Sequence, residues 1–150
     1  MAIKVDKGVA AGMGSEQTDL LQAVIGGREV LILSSEIREV VRPLPLTRVP
    51  MGPDHILGLA NIHGQIVSVI DVVKVSSLSA VSSESVSSRA RFLVLRHPVM
   101  HVAVWVDEVK RLRKVETRLL KPTKSSSDTV YDIDIDGSTF AVLDTGKLFH

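Results

Sequence analysis

The stretch Gly58-Leu59-Ala60-Asn61-Ile62-His63-Gly64-Gln65-Ile66-Val67-Ser68-Val69-Ile70-Asp71 sets a histidine between two apolar runs. An imidazole can ligate a metal, move a proton near neutral pH or meet a partner, so its surroundings must decide. His97 and His101 stand four residues apart, a spacing that joins two ligands on a helix, yet Pro98 and apolar flanks put them around a loop. The chain has no cysteine, and no acid beside these histidines completes a tetrahedral set. No metal site is expected there, and His55 and His150 have no recognisable partners either. Asp132-Ile133-Asp134-Ile135-Asp136-Gly137 opens like the calcium loop of an EF-hand, whose last position needs a bidentate glutamate. Leu143 occupies that position. Alternation puts the three aspartates on one strand face and the two isoleucines on the other, so a solvated strand before a turn is expected.

The serines include no G-x-S-x-G elbow, and the chain carries no G-x-G-x-x-G and no phosphate loop. The expectation is a protein that is not an enzyme and has no cofactor. Lys110-Arg111-Leu112-Arg113-Lys114 is the one dense basic run, able to meet phosphates or an acidic protein, or simply to be solvated on an edge strand. Aromatic residues make up 3% and the net charge is +1, so neither stacking platforms nor a global field favours nucleic acid. A nucleic-acid-binding double barrel using Lys110 to Lys114 is the alternative reading, discriminated by salt-sensitive binding.

The elements that must carry these residues are mostly strands. Leu20 to Ile25 and Val30 to Leu33 flank Gly26-Gly27-Arg28, a glycine pair suited to a tight hairpin. Ser34 and Ser35 then suit a helix cap, and Ile37, Val40 and Val41 follow helical spacing until Pro43, which predicts a short helix. Arg42-Pro43-Leu44-Pro45 reads as an irregular or edge segment, Pro53 as opening a helical turn to Leu57, and residues 64–71 as a strand. Arg91 to Arg96 and His101 to Val106 form a second hairpin. Residues 1–18 read as a flexible arm without a secretory signal, and no run reaches the roughly 20 apolar residues of a membrane helix. A cytoplasmic protein without direct membrane insertion is expected.

The chain also repeats itself. Gly64 to Val75 aligns without gaps on Gly137 to Leu148, with the glycine, the central valine, the aspartate and the lysine identical. Glu36-Ile37-Arg38 is answered by Glu108-Val109-Lys110 at an offset of about 72. The domain organisation that follows is one lobe over about 19–75, a serine-rich connection over 76–88, where eight of thirteen residues are serine, and a second lobe over about 89–150. Two open sheets would leave apolar strands with exposed edges, whereas closure into two small barrels sharing a core does not. The same alignment sets His63-Gly64 opposite Asp136-Gly137, so His63 is expected in a hairpin turn with its side chain exposed.

Ser35-Glu36-Ile37-Arg38-Glu39-Val40-Val41, Ile56-Leu57-Gly58-Leu59-Ala60-Asn61-Ile62-His63-Gly64 and Ile66-Val67-Ser68-Val69-Ile70-Asp71-Val72 together resemble the CheW family, the coupling proteins of bacterial chemotaxis. The resemblance extends from about Asp19 to Leu148. It implies a mainly β fold of two small five-stranded SH3-like barrels packed around a shared core, with short helical segments. It further implies a noncatalytic adaptor that binds the regulatory domain of the histidine kinase CheA and the cytoplasmic tip of methyl-accepting chemoreceptors, and so sits at membrane-bound receptor arrays. By that resemblance Glu39, Val41, Asn61 and His63, near the groove between the lobes, are the receptor-binding residues; Ile56, Leu57 and Gly58 are expected to support the barrel, because apolar positions of this kind are usually core. Two positions depart from the family pattern: His63 stands where arginine is usual and Ser68 where proline is common.

Overall fold

The computed structural model describes residues 16–75, 88–122 and 130–145. Eleven strands form two curled sheets. The first hairpin is β1 (Gln17–Ile25) and β2 (Arg28–Leu33), turned by Gly26 and Gly27 at φ 60° and 80°, both left-handed as its tight turn requires. β1 begins at Gln17, so the last two residues of the expected arm are strand; residues 1–15 fall outside the described residues, as do 76–87 of the serine-rich connection. A 3-10 turn over Ser34–Glu36 leads into β3 (Ile37–Val41).

The expected helix over this segment is thus corrected to one turn followed by a strand. The turn is where Ser34, Ser35 and Glu36 predict it, but Ile37, Val40 and Val41 are β-branched and an open strand edge lies beside them. Burial accordingly alternates along β3, with Arg38 and Val40 outside and Ile37, Glu39 and Val41 turned partly inward. The segment 42–55 follows as an irregular strap with one bridge, Thr47 to Leu59; Pro53 opens a single turn, closed by the Ile56 N–H on its carbonyl at 3.2 Å, which ends at Ile56 and not at Leu57 because β4 (Ile56–Ile62) starts there. β5 (Gln65–Ile70) returns from the His63-Gly64 turn, and Asp71 Oδ1 accepts from the backbone N–H of Val73 to start the four-residue helix α1 (Val72–Val75).

β6 (Arg91–Leu95) and β7 (Val102–Val106) form the second hairpin, and β8 (Glu108–Glu116), a 3-10 turn at Thr117–Leu119, β9 (Lys121–Pro122), β10 (Val130–Ile135) and β11 (Ser138–Leu143) complete the chain order. One sheet runs β8-β1-β2-β11-β10-β9 and the other β3-β6-β7-β5-β4. The two sequence halves are therefore interleaved: the first hairpin joins β8 to β11, and the second hairpin joins β3 to β5. Parallel pairings between β2 and β11, and between β5 and β7, stitch the halves together. Each half repeats the same connection, so each supplies its partner with the strand that the local antiparallel hairpins leave unpaired.

Three apolar clusters result. Leu20, Leu31, Leu33, Ile133 and Val142 fill the first curled sheet, and Val67, Val69, Phe92, Val94 and Ala103 fill the second. Between the sheets, Leu21, Ala23, Ile25, Val30 and Ile32 from the first pack on Leu93, Leu95, Val104 and Val106 from the second. β1 and β2 face an interior on one side and the shared core on the other, which is why Leu20-Leu21 and Val30 to Leu33 are continuous apolar runs. Each such side chain contributes about 1.5–3 kcal/mol by leaving water, so the interface between the barrels is as much a core as either interior.

Candidate partner-binding surface

The β4–β5 turn holds His63 at φ 53° and Gly64 at φ 82°, the same pair of left-handed residues as Asp136 and Gly137 at φ 50° and 82° in the β10–β11 turn. The repeat thus places His63 in a tight hairpin turn, as its sequence predicts. Its ring Nε2–H donates to Glu39 Oε2 at 3.0 Å, with His63 72% and Glu39 34% exposed. Glu39 belongs to β3 and His63 follows β4, which are opposite edges of the five-stranded sheet. The sheet curls until its edges nearly meet, and this polar contact crosses a seam that no strand ladder closes among the described residues.

The other two expected contact residues go elsewhere. Val41 is half-buried, pairs with Phe92 of β6 and packs against the cluster that fills the second curled sheet. Asn61 is exposed on β4 and lines an apolar groove of about 460 Å³ with Leu44, Pro45, Leu59 and Ile66, beneath the 42–55 strap. Ile56 and Leu57 pack on the cores, as expected of supporting residues. At Gly58 a side chain would meet Leu46 Cβ at 2.8 Å and the Thr47 carbonyl oxygen at 3.0 Å. The glycine is there because the strap crosses β4 in van der Waals contact.

Beside the Glu39–His63 contact, Arg38, Gln65, Val67 and Val94 line both a small recess of about 290 Å³ and a larger groove of about 700 Å³. The larger groove continues past Glu36, Arg96, His97, Pro98, Met100 and His101. Gln65 donates its amide N–H to His101 Nε2 at 3.1 Å, tying β5 to the β6–β7 connection. Glu36 is buried at the edge of this groove, and burial, reinforced by the nearby Asp144 carboxylate, holds its carboxyl above the ordinary range. Sequence reasoning missed Arg38, Gln65, Arg96, His97 and His101 as lining residues; a strand period over 37–41 is the signal that separates Arg38 from Glu39 by face. A broad open groove with apolar walls and charged rims can seat a helical or extended segment of another protein. Among the described residues no three of His, Asp and Glu come together as metal ligands, and no helix is long and apolar enough to cross a membrane.

Residues 19–150 match the family described as the CheW-like domain. The chain belongs to the CheW-like family. The chemotaxis protein CheW of Helicobacter pylori (strain ATCC 700392 / 26695) is 28% identical over 118 residues, spanning 75% of this chain and 70% of that protein. The crystal structure of scaffolding protein TtCheW from Thermoanaerobacter tengcongensis is similar with a TM-score of 0.76, covering 89% of this chain and 88% of that one at 19% identity. The two curled sheets are thus the double SH3-like barrel fold of CheW, and the protein is a CheW-like coupling or scaffold protein of the chemotaxis class.

In this CheW-like chain the basic run lies on β8, at the edge of the six-stranded sheet, and its charges are used within the fold. Lys110 Nζ is 3.4 Å from Glu29 and Lys114 Nζ 3.7 Å from Asp19. Arg113 and Arg111 donate to Gln22 Oε1 at 2.7 and 3.3 Å, and Gln22 in turn donates to Glu29 at 2.6 Å. The Arg113 guanidinium also sits over the Phe140 ring at 5.8 Å. Two of the four cations thus face carboxylates, while the two arginines are oriented by a neutral amide and keep their charge.

Proposed function

We propose that this protein links chemoreceptors to the histidine kinase CheA, seating the cytoplasmic receptor tip in the groove beside Glu39 and His63 and the kinase regulatory domain on another barrel face. The observation that carries this reading is the polar Glu39–His63 contact across an otherwise unpaired seam, flanked by a groove of about 700 Å³, in a chain of the CheW-like family. Such a protein makes and breaks no bond. It fixes the relative geometry of two partners, and a shift of the receptor segment in the groove reaches the kinase through the shared core. Its place is the cytoplasmic face of receptor arrays.

Retention assays with a kinase regulatory domain and a receptor cytoplasmic fragment test this. Wild type should hold both, whereas Glu39→Lys and His63→Ala should keep the kinase and hold the receptor less well. An exposed pair of this kind is worth about 0.2–1 kcal/mol, so His63→Ala should weaken receptor retention by at most about five-fold. Glu39→Lys reverses the charge facing His63 and should weaken it further. If wild type holds neither partner, the adaptor reading fails.

A further inference from the structure

One rim of the large groove is the β6–β7 connection, and its shape depends on an imidazole. His97 Nδ1 accepts hydrogen bonds from the backbone N–H of Met100 at 2.8 Å and of Val99 at 3.1 Å. A ring nitrogen that accepts carries no proton, so the imidazole that closes this turn is neutral, with its hydrogen on Nε2. Adding a proton at Nδ1 would aim an N–H at two other N–H groups. Both bonds would then be lost together, and the two amides would turn to water.

We propose that the β6–β7 connection is a proton-operated latch on the groove, closed by neutral His97 and released by its imidazolium. The side chains it carries are suited to contact: Val99 and Met100 are exposed apolar residues, and Met100 lines the groove with Pro98 and His101. Release would disperse these contact points, while the strands on either side stay anchored by the shared core. The ionisable groups lining the groove with His97 are Glu36 from the turn after β2, Arg38 from β3, the adjacent Arg96, and His101, which accepts from Gln65 of β5. Among the described residues, one acid and up to three cations thus share the groove with the ring. The proposal rests on the adaptor reading only for its use; the latch is a property of this chain alone.

Nuclear magnetic resonance on the full chain between about pH 8 and 5.5, the range in which imidazoles titrate, tests it without any partner. The amide signals of Val99 and Met100 should move together with the His97 ring signals, and their exchange protection should fall about tenfold, as the loss of two hydrogen bonds implies. In His97→Asn the side-chain oxygen can accept from the same amides but cannot titrate, so those signals should stay fixed. His97→Ala should show the released positions at every pH. Amides of Val99 and Met100 that stay still while the His97 ring titrates, or that move equally in His97→Asn, would overturn the latch and leave the adaptor reading untouched.

Discussion

Gly58→Ala should damage this fold more than Gly64→Ala, although both replace a glycine by the smallest chiral residue. At Gly58 the added methyl group would sit 2.8 Å from Leu46 Cβ and 3.0 Å from the Thr47 carbonyl oxygen. The strap cannot simply retreat, because Thr47 and Leu59 exchange two backbone hydrogen bonds of 2.8 Å. Overpacking of this kind costs about 1–3 kcal/mol. If the strap lifts instead, two hydrogen bonds worth about 1 kcal/mol each are lost. Either route gives about 1–3 kcal/mol, which for a chain of this size lowers the melting temperature by about 2–12 °C. At Gly64, φ is +82° and an added methyl meets nothing within 4 Å. Only the left-handed backbone then opposes the side chain, at about 1 kcal/mol and a few degrees. Urea unfolding followed by the fluorescence of Trp105, which packs on the same cluster as Leu46 and Leu57, measures both variants. Equal midpoints for the two would refute the claim that the strap is clamped onto β4.

Glu36 sets a pH dependence of stability. Burial raises its carboxyl above the ordinary value in the folded state, so folded protein binds this proton more tightly than unfolded protein does. Its contribution to stability is therefore fullest in acid and is lost as pH rises from the ordinary glutamate value through the raised one. Urea midpoints of Glu36→Gln and wild type should diverge in the variant's favour as pH rises above the ordinary glutamate range; parallel curves would contradict this. Phe92→Ala removes a fully buried ring 5.6 Å from that of Trp105. It should cost about 3–5 kcal/mol and alter the emission of the single tryptophan in the folded state; unchanged emission would count against this contact.

Local signals in the sequence carried much of the architecture. Gly26-Gly27, His63-Gly64 and Asp136-Gly137 each mark a turn with left-handed backbone, and all three turns are where those residues lie. The internal repeat revealed two like halves. It did not reveal that β2 pairs with β11 and β5 with β7, because parallel pairings between distant segments leave no mark on local periodicity. At 37–41 a helical spacing of apolar residues coincided with β-branched chemistry, and the available edge of β6 decided for the strand. The candidate site was legible only in part. His63 and Glu39 stand out as polar residues on apolar elements, but their meeting depends on how far a five-stranded sheet curls, a property of the whole packed sheet. Val41 shares the face of Glu39 by alternation, and its burial against Phe92 follows from that same curl.

The parallel pairing of β2 with β11 has a consequence for biosynthesis. All five strands of one sheet, residues 37–106, emerge from the ribosome while the other sheet still lacks its closing members. The hairpin made first, 17–33, must therefore wait with the outer backbone of β2 bare until residues 138–143 arrive. A nascent chain halted before that point would present an apolar, unpaired ribbon to its neighbours, the kind of surface that chaperones shield and that polymerises when they do not.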